Sequence, residues 1–206
     1  MKNLFICFLL LTPFMLFGQF GIKAGLNFAN ITKAKEINSS TRTGFHAGVF
    51  LDGSSKNVLT SHSELLFSRQ GYDFTTNVNT GKVELDYLML PQFIAINITK
   101  YVQVQAGAQV SYLLNAKIDS TSSTGDQNTD KILKLVNRLD YGLAGGVEVH
   151  PVHSLLVGIR LNLSFGKLYK ESEPGQTYDF IPDIDAKNNL FQIYAGFKFG
   201  KEEEKP

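Results

Sequence analysis

Cysteine is almost missing from this chain: Cys7 is the only one in 206 residues. It lies inside an N-terminal apolar run rather than at the end of that run, where a lipid-modified cysteine would stand. The residues beyond it therefore hold no disulfide, no thiol nucleophile and no cysteine metal ligand. Stability has to come from secondary structure and its packing. An excess of one charge is lacking too. Once Lys2 is set aside with the leader, the 20 Lys and Arg residues become 19, matching the 19 Asp and Glu. That balance points neither to nucleic acid nor to an anionic surface as partner. No later apolar stretch reaches the 18 residues that a membrane-crossing helix needs, so any insertion into a bilayer is by strands. Internal repeats are also absent.

The first 19 residues read as a secretory signal peptide. Lys2 supplies the positive start, Leu4 to Phe17 is a nearly unbroken apolar run, and Phe17-Gly18-Gln19 offers a cleavage site with a small residue, Gly18, next to a bulky one. The run is short for a transmembrane helix. Residues 20–206 suit a single domain, expected as a barrel over 20–199 and a short charged periplasmic tail over 200–206.

What the chain has in abundance is alternation. From Leu139, every second residue is Leu139, Tyr141, Leu143, Gly145, Val147 and Val149, with Asp140, Gly142, Ala144, Gly146, Glu148 and His150 between them. After a turn at Pro151 the pattern resumes as Leu155, Val157, Ile159, Leu161, Leu163 and Phe165 against Leu156, Gly158, Arg160, Asn162 and Ser164. Period two over such lengths means β-strand, and ten or more residues is close to the roughly 9–11 that a tilted strand needs to cross a bilayer. The same reading finds a first strand starting at Phe20, a second over 44–52, a third over about 58–71, a fifth from Val102 to about Tyr112 and an eighth over 189–199. The fourth, 83–98, is apolar on both faces, and Pro91 predicts a bulge or local break in it. Residues 115–137 read as a long loop whose 132–136 stretch fits either a short helix or a strand extension.

That makes eight strands. Connections after the odd strands are long, roughly 11 to 23 residues, and those after the even strands are roughly two to five, the rhythm of an up-and-down membrane barrel with both termini on the turn side. The expected fold is an all-β, eight-stranded antiparallel transmembrane β-barrel. A secreted lipocalin-like barrel would share the period, with its apolar face inward. Two features favour lipid outside. The polar face carries charges of both signs among glycines, which suits pairing in a narrow lumen, and the apolar face carries its aromatics near both strand ends, as interfacial girdles do.

The candidate lumen set is Lys23, His46, Glu64, Asp140, Glu148, Arg160 and Lys198, read as an ion-paired plug because eight strands leave room only for side chains. Ser61-His62-Ser63-Glu64 invites comparison with barrel enzymes that act on lipid A. His62 and Glu64 would face the lumen while both serines point to the other wall, and the group lies near the periplasmic end, so no catalytic residue is assigned. His150 and His153 supply two imidazoles where zinc wants three or four ligands, and Asp179, Asp183 and Asp185 lack the glycine and closing Glu of a calcium loop. Neither metal nor cofactor is expected. In the last long loop Tyr169, Tyr178, Phe180 and Ile181 form a candidate contact patch, or a cap over the barrel mouth.

Several stretches carry a resemblance: Gly21-Ile22-Lys23-Ala24-Gly25-Leu26-Asn27, then Glu64-Leu65-Leu66-Phe67-Ser68-Arg69-Gln70-Gly71-Tyr72, Tyr87-Leu88-Met89-Leu90-Pro91, and the closing Gly196-Phe197-Lys198-Phe199. With the export signal, they resemble the Bacteroidota outer-membrane β-barrel domain family, often called PorT-like. The resemblance implies outer-membrane lipid as surroundings, the barrel-insertion machinery as a partner reading the Phe199 strand, and, for a few members, an accessory role in type IX secretion. The chain departs from the pattern in its tail, where Lys201 to Pro206 follow the final aromatic strand.

Overall fold

In a computed structural model, the described residues are 19–32, 38–53, 58–76, 80–120, 133, 135–152, 154–170 and 186–199. The strands are β1 (Gln19–Ile31), β2 (Ser40–Asp52), β3 (Leu59–Thr75), β4 (Thr80–Asn97), β5 (Val102–Ser120), β6 (Leu139–Val152), β7 (Leu155–Ser164) and β8 (Asn188–Phe199). Each pairs antiparallel with its neighbours in sequence, and β1 closes on β8 to complete the barrel. Closure leaves no edge strand, so every ladder has a partner. The β1–β8 seam runs from Phe20 opposite Phe199 to Ile31 opposite Asn188, with the Phe20 and Phe199 rings stacked at 5.9 Å between centroids.

The alternation sorts the two faces as a membrane barrel requires. Ile22, Leu143, Val157, Ile159, Leu161 and Ile193 lie on the outside and are 41–58% exposed. Lys23, His62, Glu64, Glu148 and Arg160 point inward and are buried. A soluble barrel with a greasy hollow would reverse both sets.

Besides β2, which starts at Ser40 rather than at 44, three strands run past the expected boundaries. Residues 72–75 and 80–82, expected in a loop, are strand, because β3 continues to Thr75 and β4 starts at Thr80. Likewise β5 continues to Ser120, through residues expected in the following loop. These extensions are paired all the way, from Tyr72–Val83 to Thr75–Thr80 and from Gly81–Ser120 to Asp86–Asn115. Their polar outer side hides them from an apolar-period reading, yet it is what a strand needs once it leaves the hydrocarbon. Within 132–136, Leu133 and Leu135 are helical and Val136 makes an isolated antiparallel bridge to Tyr169.

Of the bulge or local break expected at Pro91, the structure has the break: the β3–β4 pairing lapses at Leu90 and Pro91 and resumes unshifted at Leu66–Met89, while Pro91 stays in register with Gln109 of β5. One missing donor is tolerated where the ladders on either side hold the register. The irregularity falls in β5: Asp86 faces Asn115 while Tyr87 faces Leu113, leaving Leu114 as the extra residue. A bulge shifts the side-chain parity. Gln109, Ser111 and Leu113 face inward below it, and Ala116 is buried above it. Close approach inside the barrel also needs glycine. A Cβ on Gly107 would sit 2.0 Å from the Gln92 carbonyl oxygen, and Gly71 has φ of 141° beside the Val83 carbonyl.

Candidate functional site

The interior is divided into two tiers. The turn-side tier is ionic. Glu64, in the middle of β3, is its hub. Arg160 of β7 grips it with both terminal nitrogens, Nη1 to Oε2 and Nη2 to Oε1, each at 2.7 Å. Lys23 of β1 donates to Glu64 at 2.5 Å and to Glu148 of β6 at 3.2 Å. His62 lies between Glu64, 2.5 Å from its Nε2, and Asp52, which bonds its Nδ1. Lys198 of β8 completes the chain with Asp52 at 2.5 Å. A fork of guanidinium on carboxylate is the strong form of such a pair and fixes orientation as well as energy.

Aromatic rings also pack against the same cations. Arg160 sits 4.2 Å from the centroid of Phe93, and Lys23 lies 3.8 Å from that of Tyr194. Gly158 makes room for the Tyr194 ring, since a Cβ there would meet it at 2.6 Å. A side chain of any size at 158 displaces the ring that backs Lys23.

The expected lumen set is thus brought together only in part. Lys23, Glu64, Glu148 and Arg160 meet directly, and Lys198 joins through Asp52. His46 is elsewhere: its Nδ1 lies 2.8 Å from Asn27 Oδ1 and 3.2 Å from Gln192 Nε2, in a neutral polar layer. Asp140 is also apart, near the loop end, where its carboxylate accepts from Ser164 Oγ at 2.5 Å and from the Tyr141 amide at 2.9 Å. Sequence reasoning left out Asp52, Gln105, Phe93 and Tyr194. Asp52 and Gln105 were signalled by the polar face of their strands; nothing local marks the two rings as cation partners.

The loop-side tier is apolar. Ala29, Ile31, Tyr72, Phe74, Val83, Leu85, Tyr87, Met89, Leu113, Ala116 and Leu190 point into it from the strands. This accounts for β4 being apolar on both faces: its inner residues build this core while Leu90, Ile94 and Ile96 face outward. Over the top fold the stems of the two long loops. The Asn137 amide donates to Leu168 O, the Leu168 amide to Ala186 O, and the Thr32 amide to Lys187 O. These bonds place Val136, Leu168 and Tyr169 on the core, each at most 4% exposed. Tyr169 and Tyr72 join hydroxyl to hydroxyl. Burial raises the Tyr169 hydroxyl above its ordinary range.

Tyr169 is therefore no exposed contact residue; of the two readings of that loop, it fits the cap. Tyr178, Phe180 and Ile181, like His153, Asp179, Asp183 and Asp185, lie outside the described residues. His150 turns inward, its Nε2 lying 3.7 Å from Glu148 Oε2. Ser63 points to the outer wall and donates to Gln92 Oε1 at 2.7 Å. Both ring nitrogens of His62 are taken, by Asp52 and Glu64, so neither is left to activate a serine.

A closed antiparallel barrel of eight strands, apolar outside and charged or packed inside, is the build of an outer-membrane protein. The chain belongs to the outer membrane protein beta-barrel domain family, whose model matches residues 16–170. Its place is accordingly the outer membrane. Among solved structures it is similar to neisserial surface protein A (NspA), with 11% identity and a TM-score of 0.53 over 87% of this chain and 97% of that one. It is also similar to Ail, the attachment invasion locus protein of Yersinia pestis, with 14% identity and a TM-score of 0.47 over 89% of this chain and 100% of that one. OprG of Pseudomonas aeruginosa gives 12% identity and a TM-score of 0.45 over 90% and 97%. The NspA match supports the fold and nothing more. No curated protein matches the chain.

Proposed function

We propose that this protein is a non-enzymatic outer-membrane barrel whose lumen is shut and whose role, structural or binding, is exercised through loops on the outer side of the membrane. The supporting observation is the double closure of the interior. An ionic tier centred on Glu64 and Arg160 fills the turn end, and an apolar tier under Val136, Leu168 and Tyr169 fills the loop end. Buried charges held in such pairs fill the space that a water-filled path would need. The 1–19 leader is read as the export signal that delivers the chain, and the Phe199 strand as the segment recognised by the insertion machinery.

The reading is tested in planar lipid bilayers and by gene deletion. The purified barrel gives no steady conductance, and deletion leaves secreted cargo and lipid A unchanged. A stable channel would overturn the closed lumen. Loss of secreted cargo would install the type IX accessory role instead, and altered lipid A abolished by His62→Ala would install an enzyme.

A further inference from the structure

Among the described residues between the two aromatic belts, the outward row of every strand consists of apolar side chains, alanine and glycine, except on β3 and β4. There Ser61, Ser63 and Gln92 face out together. Ser63 stands opposite Gln92, and its hydroxyl donates to Gln92 Oε1 at 2.7 Å. Gln92 lies midway between Leu88, which is paired with Phe67 and Tyr112 at the loop-side belt, and Ile96, the last outward residue of β4. The pair is therefore at the depth of the acyl chains, where a polar group finds no water.

Part of the amide is used locally. The β3–β4 ladder lapses at Leu90 and Pro91, and Gln92 Nε2 donates to the Pro91 carbonyl at 2.9 Å. A carboxamide has two N–H donors and a carbonyl with two lone pairs, so one N–H and one lone pair remain on this exposed side chain. Around it the wall is low. Ala108 follows Gln92 in the same row, and Ala106 pairs with Gly145 in the next row toward the turns, while Leu65, Leu90, Ile94 and Val110 stand 42–59% exposed beside them. The opposite wall supplies the contrast: Ala195, Ala24 and Ala47 form an equally low row across β8, β1 and β2, with no polar side chain in it.

We propose that the β3–β5 wall is a dimer interface, on which a second copy of this chain docks within the membrane through a reciprocal Gln92 amide pair. Acyl chains supply neither donor nor acceptor, so a partner has to offer a polar group at this one depth in the hydrocarbon. A second copy inserted the same way does so when the twofold axis runs along the membrane normal, because it brings its own Gln92 at the same height. A carboxamide is also its own complement: the free N–H of each donates to the Oε1 of the other, as an isologous contact requires. Ser63, Ala106, Ala108 and Gly145 are small enough to let the two walls approach for that bond. The arrangement does not depend on which side of the membrane the long loops face.

The test is Förster transfer between donor- and acceptor-labelled copies of the full chain in phosphatidylcholine vesicles. Each copy is labelled at Lys100→Cys in a Cys7→Ser background, and the protein is diluted stepwise into lipid. Wild type shows transfer that falls with dilution along a monomer–dimer curve. Gln92→Leu weakens the dimer about tenfold, the worth of two reciprocal hydrogen bonds in a bilayer. Ala108→Phe, which props the walls apart, abolishes it, and Ala24→Phe on the opposite wall leaves it unchanged. Unboiled gel migration confirms that each variant remains a closed barrel; should Gln92→Leu fail to close, the two phenylalanine variants decide alone. Wild type that stays monomeric at the highest protein content, or equal association of Ala108→Phe, overturns the interface. Equal association of Gln92→Leu overturns the amide pair and leaves Gln92 as a patch for the ladder broken at Pro91.

Discussion

Replacing Glu64 by alanine isolates the interaction on which the ionic tier turns. The three side chains that bond Glu64 are not equally affected. Lys23 keeps Glu148 at 3.2 Å, and His62 keeps Asp52. Arg160 loses both of its 2.7 Å bonds and is left with Gln105 at 3.1 Å and the Phe93 and Tyr194 rings. Removing one partner of a buried pair costs about 3–5 kcal/mol, and the low end applies where Gln105 still accepts from the guanidinium. The expected loss is therefore about 3 kcal/mol, with Glu64→Gln at roughly half, since its carbonyl still accepts one bond. Glu64→Leu combined with Arg160→Met removes both charges at similar volume and should be more stable than Glu64→Ala. Urea unfolding in lipid vesicles, followed by far-UV circular dichroism and by the gel shift of the folded barrel, measures all three. A loss below about 1 kcal/mol for Glu64→Ala, or strict additivity of the Glu64 and Arg160 changes, would refute the hub.

Two further substitutions probe the wall itself by the same unfolding assay. Ile159→Lys sets a cation on the outer face beside the buried Arg160 and should cost about 2–4 kcal/mol in a bilayer but little in a soluble barrel, so a neutral result would remove the lipid contact. Gly158→Leu drives a side chain into the Tyr194 ring, 2.6 Å from the position of its Cβ, and should cost about 1–3 kcal/mol, whereas an unchanged midpoint would mean that the ring does not back Lys23.

Much of this architecture could be read residue by residue. Leu155 to Ser164 alternates without a fault, and the structure keeps every one of those faces. β4 resisted reading because its inner residues change from polar partners to core partners along one strand, and no local pattern announces that change. The extensions of β3, β4 and β5 were missed for a related reason. Their outer faces carry Asp73, Lys82, Glu84 and Asp119, which in sequence look like loop composition. Within the interior, the charges of Glu64 and Arg160 were visible, but their partnership was not. They lie 96 residues apart and meet only because β3 and β7 face one another across a closed ring.

The sequence by itself determined the number of strands, their inner and outer faces, and which side carries the long connections. Those properties depend on a two-residue period and on turn residues, both of which are local. Only the tertiary structure decided that the interior is half ionic and half apolar, that Asp52 rather than Asp140 joins the charged cluster, and that the bulge falls at Leu114 while Pro91 brings only a break. Each of these depends on the register around the closed barrel, which sets the height at which residues from distant strands meet.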